Sequence, residues 1–117
     1  YEDFDFWIRS ARRFYYAYSD EVLVYKRTHQ HNYSLQQRKP GNNMMQSTLK
    51  VCEKIYMLNQ RASEFRALRI RILYQLKACI RYGNWSSMPG FIRLLIKTES
   101  ILISMKDRSA AVEQGDK

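Results

Sequence analysis

The stretch that decides the fold is Met45 to Tyr82, MQSTLKVCEKIYMLNQRASEFRALRIRILYQLKACIRY. Its apolar residues recur at Val51, Ile55, Leu58, Ala62, Phe65, Leu68, Ile72, Leu76 and Cys79. Steps of three and four are the period of a helix, not the alternation of a strand. No Gly or Pro interrupts the stretch, and Gly83-Asn84 follows it as a C-terminal stop. The spacing therefore predicts one long helix over about 45–82. Between Leu68 and Ile80 apolar side chains occupy several faces, the pattern of a helix covered on several sides.

A second stripe precedes it. Phe4, Trp7, Ala11, Phe14, Tyr18, Val22, Tyr25 and His29 again step by three and four, predicting a helix over about 3–33. Asp3 suits its N-cap, and the acids Glu2, Asp3 and Asp5 suit the positive end of its dipole. Leu35 to Met44, with Pro40-Gly41-Asn42-Asn43, reads as a loop. Pro89 fits the first turn of a third, shorter helix, about 89–107, with Phe91 or Ile92, Leu95, Thr98, Ile101 or Leu102, and Met105 on its stripe.

These elements predict an all-α chain, an antiparallel three-helix bundle with two long helices and a short third. Residues 1–107 form a single domain and 108–117 a flexible tail. With 117 residues, 4 Gly and 2 Pro, the chain suits one small domain and lacks the turn residues of a sandwich or barrel. The third helix is expected to reach back only over Phe65–Ile80. A closed core is then expected among 4–18, 65–80 and 91–105, and an open two-helix groove between 22–33 and 49–62. Val22, Tyr25, His29, Val51, Ile55, Tyr56 and Leu58, with Cys52, line that groove.

Net charge is +9. Seventeen of the 20 Lys and Arg lie between Arg9 and Lys97, where only Asp20, Glu21, Glu53 and Glu64 oppose them. A basic body attracts acidic partners. Lys50, Lys54 and Arg61 form one row on the predicted second helix, and Arg66, Lys77 and Arg81 another, with Arg38 and Lys39 in the loop. Without a recognised nucleic-acid motif, these rows suit steering of an acidic protein segment better than a phosphate track. Tyr16 and Leu23, seven apart, mark a second small contact patch.

Chemistry finds little support. His29 and His31 point apart on a helix and have no ligand-spaced Cys, Asp or Glu. Glu53 and Glu64 share a face about 16 Å apart, too far to act as a pair. Cys52 and Cys79 on one helix are about 40 Å apart, which forbids a bridge between them. Two unpaired thiols suit an intracellular chain, nuclear or cytoplasmic. Asn32-Tyr33-Ser34 and Asn84-Trp85-Ser86 match the glycosylation pattern and leave secretion open. A start at Tyr1 reads as an excised domain.

The expected function is a non-catalytic interaction or scaffold module, with no metal and no cofactor. It binds an acidic or amphipathic helical segment, or a second copy of itself, in the groove between the first two helices. The alternative is a basic helical nucleic-acid-binding domain.

Overall fold

The computed structural model describes residues 2–32, 35, 39–41 and 43–115. Among them there is no strand, and four α-helices form: α1 (Glu2–Ser10), α2 (Met44–Leu58), α3 (Ala62–Tyr82) and α4 (Met88–Gly115). A single 3-10 turn, Trp85–Ser87, joins the last two. The all-helical class holds, but the helices are cut differently from the periodicity.

The predicted helix over 45–82 is two helices. It breaks at Asn59-Gln60-Arg61, where Asn59 (ψ 139°) and Arg61 (ψ 148°) are extended. Glu64 stabilises the break. Its carboxylate accepts the backbone N–H groups of Gln60 at 2.7 Å and Arg61 at 3.0 Å. Those are among the donors that a helix start leaves unpaired. The sequence signal was an Asn followed by a Glu in the third position of a new helix, with no Gly or Pro to flag it.

At that break α2 turns back along α3. Met45, Cys52 and Ile55 of α2 join Leu68, Ile72 and Cys79 of α3 and Phe91 and Leu94 of α4 in one core. Cys52 and Cys79 therefore sit on different helices of the same core, which corrects the 40 Å separation; both are free thiols. Gly90 is a point of close approach between α2 and α4: a Cβ there would collide with Leu49 Cδ2. The buried threonines satisfy their hydroxyls within their own helices, Thr48 donating to Met44 O at 3.0 Å and Thr98 to Leu94 O at 2.8 Å.

The stop after α3 forms where the sequence placed it. Gly83 is left-handed (φ +69°), its N–H donates to Ile80 O, and that of Asn84 donates to Cys79 O at 2.9 Å. Asn84 is buried, and its Oδ1 accepts the Gly41 N–H at 2.9 Å, tying the end of the first loop to the end of α3. An L-residue at Gly83 must enter the left-handed region. Gly83→Ala is therefore expected to cost about 1–2 kcal/mol, read as a lower urea midpoint with unchanged m-value.

The predicted first helix ends at Ser10 instead of near Tyr33. The chain turns over Ala11–Arg13, and residues 11–31 are exposed throughout. The reason lies in propensity: Tyr15, Tyr16, Tyr18, Val22, Val24, Tyr25 and Thr28 all lose side-chain freedom in a helix. An amphipathic period orders such a segment only when a surface takes its stripe. Tyr16 instead folds back on α1, its ring 5.3 Å from Trp7 and its hydroxyl bonded to Ser10 Oγ. At the other end α4 continues past the expected stop at Asp107 to Gly115. No described helix is long and apolar enough to cross a membrane.

Candidate functional site

The groove expected between the first two helices does not form. Val22, Tyr25 and His29 lie on the exposed non-helical segment. Ile55 and Cys52 belong to the core, Val51 and Tyr56 are half-buried, and the Tyr56 ring packs edge-on to Phe65 at 5.6 Å. Leu58 is exposed at the end of α2. The two halves of that site are not brought together, because the break at 59–61 spends the apolar face of α2 on α3 and α4.

The basic rows are also rearranged. Lys54 donates to Asp5 Oδ1 at 2.8 Å, and Arg9 pairs with the same carboxylate at 3.0 Å. This cluster holds α1 on α2, so Lys54 serves an internal contact. Arg61 precedes α3 and no longer shares a helix with Lys50, which is exposed. Lys39 is exposed, and Arg38 lies outside the described residues. Arg66, Lys77 and Arg81 keep their common helix, α3.

Those three cations border the surface that the fold leaves open. On α3, Arg66, Ile70, Leu73, Lys77 and Ile80 follow at steps of four and three, all exposed. On α4, Ile92, Ile96, Glu99, Ile103 and Lys106 follow at the same steps, all but the half-buried Glu99 exposed. Such steps align each set along one side of its helix. The two rows are neighbours: Arg69 pairs with Glu99 at 3.6 Å, and Arg66, Ile103 and Lys106 border one hollow of about 420 Å³. Ile70 is 66% exposed, Leu73 47%, Ile96 64% and Ile103 60%.

The other elements cover the opposite side. Phe4 of α1 lies under the Arg71 guanidinium, 4.6 Å from ring centre to Cζ, and Arg71 is two residues from Leu73. Leu49 of α2 lies against Gly90, two residues from Ile92. Two residues along a helix is a rotation of about 200°, so α1 and α2 sit behind the α3–α4 pair and the isoleucine rows face away from them. The body is correspondingly flat, 63 × 38 × 19 Å. Sequence reasoning missed this face because Ile70, Leu73 and Ile80 were read among the apolar positions of a helix covered on several sides, and Ile92 as part of a core stripe. The steps 70, 73, 77, 80 and 92, 96, 99, 103 were the available signal.

Electrostatics separate the internal contacts from the open face. The hydrogen bond from Lys54, with the charge of Arg9 behind it, holds the Asp5 carboxyl below its ordinary 3.8. The Gln60 and then the Arg61 N–H hold Glu64 below 4.5, and Arg12, 3.6 Å away, adds to this. Carboxyls lowered in the folded state stabilise it above their unfolded values, and that contribution fades as pH falls through the lowered values. Attachment of α1 and the α3 start should therefore be constant from pH 5 to 8 and weaken below about pH 4. In a Trp85→Phe background, Trp7 fluorescence against pH reads this directly, and Asp5→Asn should flatten part of the transition.

Both thiols lie in the core. Burial pushes Cys52 up to about 11 and Cys79 above its ordinary 9.0. Among the described residues no three His, Cys, Asp or Glu come together around one metal position. Comparison with family models, curated proteins and solved structures found no match, so the α3–α4 face stands on its own geometry.

Proposed function

We propose that this chain is a non-catalytic interaction module that takes an acidic, amphipathic helix of a partner protein along the open face of α3 and α4. The observation that carries the reading is the pair of adjacent exposed apolar rows, Ile70, Leu73 and Ile80 beside Ile92, Ile96 and Ile103. Two packed helices with parallel apolar rows form the seat of a third helix. A contiguous apolar surface of this kind on a soluble protein marks an interaction site. Arg66, Lys77, Arg81 and Lys106 flank the rows, while Glu99, the acid within the α4 row, is paired with Arg69 and Asp107 follows at the end of that row. That asymmetry favours a partner helix with acids beside its apolar stripe. The non-catalytic part of the reading is supported by thiols that are buried in the core, where burial raises their pKa.

The test is a fluorescence-anisotropy titration with a designed probe of about 20 residues, Leu at helical spacing and Glu on its flanks. Saturable binding that weakens with salt is expected. Leu73→Asp and Ile96→Asp, both at exposed positions, should each weaken it by about tenfold or more while circular dichroism stays unchanged. Binding indifferent to both substitutions would overturn the docking face. Tighter binding to duplex DNA, with a steep salt slope, would replace this reading by the nucleic-acid one. A dimer that Ile96→Asp dissociates would make a second copy the occupant instead.

A further inference from the structure

The two ends of the open face are not alike. At the end where α3 begins, Arg66, Arg69 and Lys106 border one hollow of about 420 Å³, with Ala62, Leu102 and Met105 in its apolar lining. Among the described residues the lining holds a single acid, Glu99, so three cations stand against one carboxylate. Glu99 meets only Nη1 of Arg69, at 3.6 Å. Among the described residues neither Arg66 nor Lys106 forms an ion pair. Two positive charges are left unbalanced in one concave place.

The acids nearby are committed elsewhere. Asp5 is held by Lys54 and Arg9, while Glu64 caps the start of α3 and pairs with Arg12. Asp107 and Glu113 of α4 lie outside the hollow. The charge is therefore presented outward, and its amount discriminates between anions. One carboxylate would cancel half of it. A phosphomonoester carries about −1.5 to −2 at pH 7 and offers three acceptor oxygens. Arg66 and Arg69, three apart on α3, supply planar sets of donors, the geometry that phosphate oxygens accept bidentately. A nucleic-acid strand instead brings one charge per phosphate and needs a continuing row of cations. The next cation on the α3 row is Lys77, about 16 Å from Arg66.

We infer that this hollow receives a phosphomonoester carried by the partner helix. Ile103 belongs both to the hollow and to the apolar row of α4, so the anion site continues the docking face. Arg66 is seven residues before Leu73, about 10 Å along α3. A helix lying on Leu73 and Ile96 therefore reaches the hollow two turns away. Phosphorylation of a partner Ser or Thr at that place strengthens docking, by adding charge-assisted hydrogen bonds from Arg66, Arg69 and Lys106. The partner-borne source rests on the proposed docking function; the anion site itself does not.

The isotope-labelled full chain is first titrated with phosphoserine blocked at both termini, at constant ionic strength. Saturable shifts of the Arg66, Arg69 and Lys106 amides are expected, with blocked glutamate needing about tenfold higher concentration for the same effect. Arg66→Gln combined with Lys106→Gln, both at exposed positions, should abolish the shifts while circular dichroism stays unchanged. The acidic helical probe is then made with serine or phosphoserine two turns from the leucine that meets Leu73, at either end in turn. At one end phosphoserine should raise affinity about tenfold over serine, and the paired Gln changes should erase that gain. No saturable shift, or equal shifts from glutamate at the same concentration, would overturn the phosphate site even where the helical probe binds. A phosphoserine gain that survives the Gln changes would also overturn it. Shifts without any binding of the helical probe would instead sink the docking function, and with it the partner-borne source.

Discussion

Phe91→Ala is expected to remove about 3–5 kcal/mol of stability. Phe91 is 0% exposed and stands in the core with Ile72, Cys79 and Cys52. It enters that core one turn into α4, where the three long helices meet. Truncation loses the transfer free energy of the ring and leaves a cavity that only partial collapse can fill. For a domain of this size, whose whole stability is of order 5–15 kcal/mol, that is a large share. Urea unfolding followed by circular dichroism should show a strongly lowered midpoint. Ile92→Ala is the control: its side chain is on the open face, and its loss should cost less than about 1 kcal/mol. Equal costs at 91 and 92 would mean that α4 is rotated from the arrangement described.

Gly90→Val should be the second most damaging single change, at about 2–3 kcal/mol. A bare Cβ at 90 already collides with Leu49 Cδ2. Ala can be met by rotating the Leu49 side chain, which is half-buried and has somewhere to go. Val adds two methyl groups on the same side, so α2 itself must move away from α4, opening the core at Met45 and Leu94. Thermal unfolding of Gly90→Ala, Gly90→Val and the double change Gly90→Val with Leu49→Ala separates these effects. Rescue by Leu49→Ala is the expected signature, because the clash is with that one side chain. A Val variant as stable as the parent would disprove the close approach.

The helical class was legible at once, since steps of three and four run from Phe4 to Met105 with few turn residues between. Gly83 as a stop and the start of α4 at Met88-Pro89 were also legible, because both depend on backbone conformations that a few residue types supply. The break at Asn59–Arg61 was not. No residue there forbids a helix, and what favours the break is long-range: α2 buries Cys52 and Ile55 only by folding back on α3 and α4. Glu64 then satisfies the backbone that the break exposes. The candidate groove moved for the same reason. Ile55 fits a binding stripe and a core stripe equally well, and its partners decide between them.

The segment after α1 marks the limit most clearly. Phe14, Tyr18, Val22 and Tyr25 state which side a helix would bury if it formed. They do not state whether a surface stands ready to receive that side, and their aromatic and β-branched neighbours make the helix too weak to stand alone. By itself, then, the sequence determined that this chain is helical, where α3 stops, and which residues share a face. The tertiary structure alone decided which faces meet, turning one predicted long helix into a hairpin and leaving the α3–α4 rows open. Periodicity is a property of each helix, set by local backbone geometry, whereas the choice of partner depends on burial summed over several helices at once.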